Sequence, residues 1–414
     1  MALLGSLVLL ATLVACGSDK GSLADPGRAP RTVRVPQDQP TIAAAVAKAV
    51  PGDLILVSPG TYREAVVVGV PRIEIRGTSR AGVVLDGHHA LANGFKVVAE
   101  GVAIANLTVK DYAINGIVFD GTVPGASPTA APRVLAGFRA SYVTATGNGL
   151  YGVYAFSFRR GEFDHLYASG NPDSGIYVGQ CQPCDAVVRD SLAEYNAIGY
   201  EGTNAGGNLF VIHSVFRQNR VGMTANTEDK ERLAPQRSAV FAGNLVVDND
   251  QRDAPPVGEG GFGTGIAIAG GTRDQIVHNR VSGNSVAGIV VTDLDGHLPA
   301  NNQVRANILE HNGTDLIYGW QGAATEQAGN CFAGNTFTTS GPEAIERVLA
   351  CRGPATTTAL RQLQFPASPP AGTGAIPAPP RLPDLPAAGT APRRATPAGP
   401  PSVDLASITV PAAP

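Results

Sequence analysis

The sequence predicts an all-β fold, a single-stranded right-handed parallel β-helix, from a repeat, a composition and a residue pattern. Asn followed by Gly and an apolar residue returns every 23 or 24 residues, as in Gly-Asn-Gly-Leu-Tyr-Gly-Val (147–153) and Gly-Asn-Pro-Asp-Ser-Gly-Ile (170–176). Short Val and Ile runs alternate with turn residues, and the spaced Leu of leucine-rich repeats is missing. The 414 residues include 50 Gly, 32 Pro and two Met, which suits short strands and tight turns.

The β-helix domain, with its caps, is predicted to cover residues 32–365. Within it, Gln39 to Val50 has Ile and Val on one side of a short helix, which would cap the first coil. Residues 366–414 contain 14 Pro among Ala, Gly and Thr without an apolar period, so we expect a disordered tail there.

The N-terminus carries an apolar run that is too short to span a bilayer and ends in Leu-Val-Ala-Cys at Cys16. This pattern resembles a bacterial lipoprotein signal. The resemblance implies a signal peptide over 1–15, a lipid on Cys16 and a tether over 16–31. We therefore expect an extracytoplasmic protein that meets the membrane only through this lipid.

Four further cysteines remain, which is an even number and favours disulfides outside the cytosol. Cys331 and Cys351 flank the last coil and are predicted to pair there. Cys181 and Cys184 form a Cys-Gln-Pro-Cys motif, for which a disulfide is the main prediction. A redox motif and half of a zinc site remain as alternatives for this pair.

The net charge and the scattered histidines argue against nucleic acid and metal ions as ligands. The net charge of −3 and the absence of known modules argue against nucleic-acid binding. No metal or other cofactor is predicted, although calcium is left open at 248–250 and 293–295, where Asp in turns is the commoner explanation. The recurrent asparagines are interpreted as a structural ladder of stacked amides. Its members are Asn148, Asn171, Asn196, Asn219, Asn284 and Asn312.

Residues 42–50, followed by Gly-Asp-Leu-Ile-Leu-Val-Ser-Pro-Gly-Thr-Tyr-Arg-Glu (52–64), resemble the opening of pectin-lyase-like β-helix proteins. The repeats extend this likeness to the NosD-like carbohydrate-binding and sugar-hydrolase group. The resemblance implies the fold and acidic polysaccharides as ligands, but no particular reaction. The catalytic signatures of pectin methylesterases, polygalacturonases and alginate epimerases are absent, and 232–237 departs from the pectate lyase pattern by one proline position.

Successive side chains of a strand point to opposite faces, which assigns the residues that follow each repeat glycine either to the core or to the outside. The first and third positions are apolar or small and are predicted to face the core. The second and fourth positions are predicted to face outward, and in the middle coils they are aromatic or polar. The predicted binding residues on and beside this face are Tyr154, Phe156, Tyr177, Gln180, Thr203, Asn204, Asn226 and Arg237.

Two insertions, at 227–237 and 250–263, are predicted to wall this face, whereas 121–132 is interpreted as a plain surface loop. Glu201 is the central acid of the face and the predicted catalytic residue. A glycosidase needs a second carboxyl group about 5 to 9.5 Å away, which we expect from the first insertion. The candidates there are Glu228, Asp229 and Glu231. For a lyase, Arg232, Arg237 or Tyr177 would supply the neutralising cation or the base.

The sequence thus predicts a lipid-anchored, extracytoplasmic β-helix that binds a polysaccharide on its central face. Processing by a lyase or a glycoside hydrolase is left open. The alternative is a non-catalytic surface scaffold or adhesin that uses the same face for an envelope glycan or a protein. A solvated face of strand-forming Tyr and Thr is the simplest competing interpretation.

Overall fold

The computed structural model describes residues 28–121, 134–256, 261–321, 329–352, 361–386, 389–391 and 402–414. The predicted signal peptide, Cys16 and most of the tether lie outside these residues, as does most of the 121–132 insertion. Within the described ranges, no helix is long and apolar enough to cross a membrane.

Twelve strands form a parallel sheet, called the site sheet, to which successive coils contribute one strand each over most of its length. Because consecutive coils stack in register, equivalent residues of neighbouring repeats lie side by side. The strands are Val66–Val68, Asn93–Val97, Asn115–Asp120, Val153–Phe156, Ser174–Gly179, Ile198–Thr203, Val221–Asn226, Thr264–Ala269, Ala287–Thr292, Leu316–Trp320, Ser340–Gly341 and Arg361–Gln362.

A second parallel sheet of 20 strands forms the other two walls, which the long strands Val102–Lys110 and Phe138–Thr146 join at a corner. Its remaining strands are Thr32–Val35, Leu54–Val57, Gly60–Tyr62, Glu74–Gly77, Val83–Asp86, Gly161–Asp164, Tyr167–Ser169, Ala186–Arg189, Leu192–Glu194, Gly206–Ile212, Val215–Arg217, Arg237–Ala242, Leu245–Val247, Gln275–Val277, Arg280–Ser282, Gln303–Arg305, Ile308–Glu310 and Cys331–Ala333. Leu135–Ala136 and Phe158–Arg159 form a separate two-stranded pair.

The core lies inside the coils and confirms the predicted alternation. The residue after each repeat glycine is completely buried in all seven repeats, because it points into the coil. These residues are Ile117, Val153, Ile176, Tyr200, Met223, Ile266 and Ile289. The sheet pairs them in register, as in Val153 with Ile176 and Ile176 with Tyr200.

The asparagine ladder is present and has one more rung than predicted. The Nδ2 of Asn171 donates to Oδ1 of Asn196 over 2.7 Å, and the same contact repeats from coil to coil. Asn249 occupies the rung between Asn219 and Asn284. Its amide is therefore engaged in the ladder, which removes it as a ligand for calcium at 248–250.

The two ends of the domain are closed as the sequence predicts. The helix Ile42–Lys48 buries Ile42, Ala45 and Val46 against the first coils. The Glu64 carboxylate accepts hydrogen bonds from its first N–H groups, which have no partner within a helix. At the other end, Cys331 and Cys351 form a disulfide beside the short helix Ile345–Val348.

The described residues of the C-terminal segment differ from the expectation of a disordered tail. They lie along the outer surface of the coils, mostly without regular structure, apart from the short helix Leu405–Ser407. Arg220 donates to Pro369, and Asp384 accepts from the backbone N–H of Arg80. Ile408 fills an apolar patch on the outside of the second sheet. These polar and apolar groups of the wall have partners in the tail, which composition alone does not reveal.

Candidate active site

The outward side of the site sheet brings the predicted strip together. Tyr154 is paired with Tyr177, Tyr177 with Glu201, and Glu201 with Thr224. In the fourth column, Thr203 is paired with Asn226. The register predicted from the repeat glycines is therefore confirmed for these residues.

Glu201 is buried and has a half-buried carboxyl group, that of Asp173, as its neighbour. The two carboxyl groups are close enough for each to shift the pKa of the other, and Tyr151 acts on Asp173 from the other side. On the other side, Glu201 Oε1 lies 3.2 Å from both Thr203 Oγ1 and Asn226 Nδ2. Glu201 is 6% exposed. We call Asp173 and Glu201 the carboxyl pair.

Ser174 bridges the two carboxyl groups of the pair. Its Oγ lies 2.5 Å from Glu201 Oε2 and 3.1 Å from Asp173 Oδ1. One hydroxyl has one hydrogen to donate and accepts through its lone pairs. A proton on one of the two carboxyl groups would let Ser174 accept one of these hydrogen bonds and donate the other.

Burial is also the main cause of the shifted acidity of this pair. Loss of water raises the pKa of Glu201 to about 8, and the charge of Asp173 raises it further. Burial likewise raises the pKa of Asp173, against hydrogen bonds from Tyr151 and Ser174 that lower it. The pair therefore keeps a proton at neutral pH.

A cluster of three aromatic rings covers the pair on the side of the earlier coils. The ring centroid of Tyr154 lies 4.5 Å from that of Tyr151 and 4.6 Å from that of Tyr177. Phe156 continues the cluster, since its ring is parallel to that of Tyr154 at 5.7 Å. Burial and the neighbouring carboxyl groups raise the pKa of all three tyrosines. They are therefore poor proton acceptors at neutral pH.

The 227–236 loop, which precedes the strand that begins at Arg237, brings Glu231 close enough to Tyr154 and Tyr177 to raise their pKa values. Gln180 Nε2 donates to Glu231 Oε2 over 2.6 Å, and Gln180 Oε1 accepts from the backbone N–H of Arg232. Burial raises the pKa of Glu231 to about 7, and the charge of Glu228 adds to this effect. Asn204 fixes the start of the loop through two hydrogen bonds with the Glu228 backbone. Gln180 and Asn204 thus position the loop.

Other predicted residues lie apart from the carboxyl pair. The Asp229 carboxylate is 63% exposed and bonds His297 Nε2 over 2.5 Å. Arg237 begins a strand of the second sheet and is exposed. The carboxyl group next to Glu201 is that of Asp173, and the second carboxyl group expected from the loop at about 5 to 9.5 Å stays a prediction.

The sequence pattern did not reveal Asp173, Tyr151 or Ser174, because Asp173 and Tyr151 lie before their strands and Ser174 is the first residue of its strand, ahead of the repeat glycine. The position two residues before the repeat glycine is Leu150, Asp173, Ala197 and Arg220 in successive coils. A single acid in a column of unlike residues was the signal available for Asp173.

Cys181 and Cys184 form a disulfide directly after Gln180, which confirms the main prediction for this motif. The bond closes the corner from which Gln180 reaches the loop. Across the described ranges, no group of three or more His, Cys, Asp or Glu side chains is arranged to hold a metal ion.

Two cavities lie along the site sheet on either side of the carboxyl pair. The first has a volume of ≈ 390 Å³ and includes Tyr151, Tyr154 and Phe156 in its lining. The second, of ≈ 150 Å³, is lined by Glu201, Asn226 and residues of later coils.

Residues 135–300 match the family model described as the right handed beta helix region. The chain is a right-handed parallel β-helix. Solved structures of similar fold include the A-module of mannuronan C-5 epimerase AlgE6 from Azotobacter vinelandii, with 13% identity over 70% of this chain and 89% of that chain and a TM-score of 0.47. Pectate lyase Pel9A has 17% identity over 72% of each chain, with a TM-score of 0.40. The sequence has no match among the curated proteins.

On this right-handed β-helix, the site combines three chemical elements. The carboxyl pair holds a proton, the aromatic cluster offers flat apolar surface, and Glu231 adds a third carboxyl group with a raised pKa. A buried acid that stays protonated near neutral pH is suited to general acid catalysis. The site is thus equipped to donate a proton to a ligand lying on the tyrosine rings.

Proposed function

We propose that this β-helix binds a polysaccharide on the site sheet and hydrolyses a glycosidic bond, with Glu201 as the proton donor. The observation that carries the proposal is the carboxyl pair beside the aromatic cluster, bridged by Ser174, in which burial and Asp173 raise the pKa of Glu201. A strand-forming but solvated face would not bury an acid next to a second acid, because a buried charge is costly.

The rings of Tyr154 and Phe156 supply the surface for sugar binding. They are parallel, half-buried and beside the larger cavity. Flat aromatic faces suit the apolar sides of sugar rings, while amides and hydroxyls bond their hydroxyl groups. Asn226, which lines the smaller cavity, offers such an amide on the far side of Glu201.

The reaction proceeds through one proton and one water molecule. Glu201 transfers its proton to the glycosidic oxygen while the bond from this oxygen to the anomeric carbon breaks. The Asp173 carboxylate stabilises the positive charge that develops on the sugar ring. A water oxygen bonds to the anomeric carbon, and the proton that it loses returns to the carboxyl pair, which restores the starting state.

Hydrolysis fits the electrostatics better than β-elimination. A lyase needs a base for the proton beside a uronate carboxyl group. Among the residues that line the site, Tyr177 and Tyr151 are placed for that role, but their pKa values are raised by burial and by neighbouring acids. A protonated Glu201 is already in the form that hydrolysis requires.

A binding protein without catalysis is the second candidate. Direct contact within the carboxyl pair favours it, because the two carboxyl groups of most glycosidases lie about 5 to 9.5 Å apart, on either side of the bond. In that case, Asp173 and Glu201 act as hydrogen-bonding groups for sugar hydroxyls, and the same aromatic cluster binds an envelope glycan.

Turnover and binding with matched variants distinguish these functions. The purified protein is incubated with alginate, pectate, cellulose, chitin, xylan and mannan, and reducing ends and absorbance of unsaturated products are both followed. Hydrolysis predicts new reducing ends without that absorbance. Glu201→Gln should abolish turnover and keep binding, whereas Glu310→Gln, a partly exposed acid paired with Arg280, should retain both. Absorbance of unsaturated products would replace hydrolysis by a lyase reaction, and binding without turnover by the unmodified protein would favour the second candidate.

The proposal includes export and a lipid anchor at Cys16. Two disulfides and the lipoprotein-like N-terminus support an extracytoplasmic location. Cys16→Ala should move the protein from the membrane fraction to the soluble fraction of cells that express the full chain. An unchanged membrane fraction would refute lipid anchoring at this residue.

A further inference from the structure

The carboxyl pair stands at the boundary between the two unequal cavities of the site sheet. Tyr151, whose hydroxyl acts on the pKa of Asp173, lines the larger cavity of ≈ 390 Å³ toward the earlier coils. Glu201 lines the smaller cavity of ≈ 150 Å³ toward the later coils. A ligand that passes the pair therefore finds much less room on the Glu201 side.

The smaller cavity is lined by the site sheet and by the chain that follows its last strands. The site sheet continues here with short outward side chains, namely Ala267, Ala269 and Thr292. Phe365 and Gln321 complete the lining. Without Phe365, the short side chains would form an open shelf across two further coils, or roughly 10 Å of additional length.

Phe365 belongs to the C-terminal segment, and contacts on both sides fix its place. Before it, Arg361–Gln362 pairs with Gly319–Trp320, and the Leu363 N–H donates to the Trp320 carbonyl over 2.6 Å. After it, Arg220 donates to Ser368 Oγ over 3.0 Å and to the Pro369 carbonyl.

The next turn of the segment is held as well. Asp253 Oδ1 accepts a hydrogen bond from the Gly374 N–H over 2.9 Å, and the Arg252 carbonyl accepts one from the Gly372 N–H. The guanidinium of Arg220 is itself anchored over the Phe262 ring at 5.0 Å. The segment thus crosses the late-coil side of the site in a defined position.

We infer that Phe365 makes the site specific for chain ends, so that a single terminal sugar residue occupies the smaller cavity while the rest of the polymer lies on the aromatic cluster. Cavities of about 150 Å³ accept a single small ring such as benzene, so this cavity has no room for a second sugar residue. This inference rests on the proposed function and specifies its outcome. Each turnover consumes one water molecule, releases one monosaccharide and shortens the polymer by one unit.

Product sizes test this specificity. Oligosaccharides of two to eight units from the six polymers named above carry a fluorescent label at the reducing end, and early products are separated by size. The unmodified protein should shorten its substrate one unit at a time. Phe365→Ala should release fragments of two or more units among the first products. Ile376→Ala, a tail variant near Gly170 and away from the cavity, should leave the product sizes unchanged.

A second variant tests the smaller cavity without altering the tail. Ala267→Phe fills its floor and should reduce kcat/KM at least tenfold, while binding in the larger cavity persists. Internal fragments among the first products of the unmodified protein would overturn the chain-end inference and leave the proposed hydrolysis standing. Unchanged product sizes in Phe365→Ala would also overturn it. If the unmodified protein shows no turnover and Glu201→Gln shows no binding, the proposed function is refuted, and the inference with it.

Discussion

Replacing Glu201 by Gln is expected to stabilise the protein, by an amount that grows from pH 5 to pH 8. The pKa of Glu201 rises from 4.5 to about 8 on folding, because the side chain is buried beside Asp173. Between these values the folded state holds a proton that the unfolded state has released, so that rising pH favours unfolding. The cost is absent below the pKa of the unfolded chain and complete above that of the folded protein. A Gln side chain does not titrate and avoids this cost.

The size of the effect follows from the pKa shift. A rise of about 3.5 pH units, at about 1.4 kcal/mol each, sets an upper limit of about 5 kcal/mol at pH 8. Asp173 shares the proton, so we expect a gain of about 2 to 4 kcal/mol. Gln also fits the hydrogen bonds, since its carbonyl accepts from Thr203 and Asn226 and its amide donates to Ser174 and Asp173.

Urea unfolding at pH 5, 6, 7 and 8 measures this gain, with the fluorescence of the single tryptophan, the buried Trp320, as the signal. Glu310→Gln serves as the control, because this acid is 39% exposed in its ion pair with Arg280. Its effect should stay within about 1 kcal/mol at every pH. A stability difference for Glu201→Gln that is constant with pH, or that shrinks toward pH 8, would refute the proposed protonation of the pair.

Asp274 provides a second comparison, because it is a fully buried acid directly before the strand Gln275–Val277 of the second sheet. Burial raises its pKa to about 7, and its Oδ2 and the Oε1 of Gln236 have no hydrogen-bond partner among the described residues. Both oxygens lie within 2.5 Å of the position that a Cβ of Gly271 would occupy. Asp274→Asn should therefore also gain stability toward pH 8, but with turnover retained. If both Glu201→Gln and Asp274→Asn lose turnover, the loss cannot be attributed specifically to the carboxyl pair.

Four further outcomes are expected. Tyr154→Ala should weaken oligosaccharide binding about tenfold in calorimetry, or about 1.4 kcal/mol, because a stacking surface is lost. Asn219→Ala should lower the free energy of unfolding by about 2 to 3 kcal/mol in urea, without changing the pH profile of turnover, since it leaves buried amides of the ladder unpaired. Cys331→Ser opens a loop of 20 residues and should lower the free energy of unfolding in urea by about 3 kcal/mol relative to the unmodified protein without reductant. Gln180→Ala should raise KM more than it lowers kcat, because it releases the loop that carries Glu231.

The sequence was sufficient to predict the coils because their determinants are local. Each turn contains its Asn and Gly within about five residues, and alternation along the following strand assigns the two faces. The pairing of Tyr154, Tyr177 and Glu201 across three coils follows directly from this period. The repeat that contains the 227–236 loop is longer than the others, yet its strands on the site sheet pair equivalent residues, since Thr224 is paired with Ala267.

Asp173 could not be assigned in this way, because alternation does not apply in a turn. Its side-chain direction depends on the turn geometry between Asn171 and Gly175, both of which have structural roles. The contacts of the C-terminal segment were hidden for another reason. Arg220 and Pro369 are 149 residues apart, and a Pro-rich composition contains no signal for such a pairing.

The sequence also predicted which way the side chains of the site sheet point, but not how far each is exposed to solvent. This exposure determines the acidity of Glu201. Tyr177 points outward as predicted, yet it is 3% exposed, because Gly179 leaves space into which its ring folds. A Cβ at Gly179 would lie 2.3 Å from the ring, so a larger residue there would push Tyr177 away. Beside these rings Glu201 is 6% exposed, and this burial raises its pKa to about 8. An exposed Glu201 would ionise, so the burial of the strip is what suits this outward carboxyl group to its proposed role as proton donor.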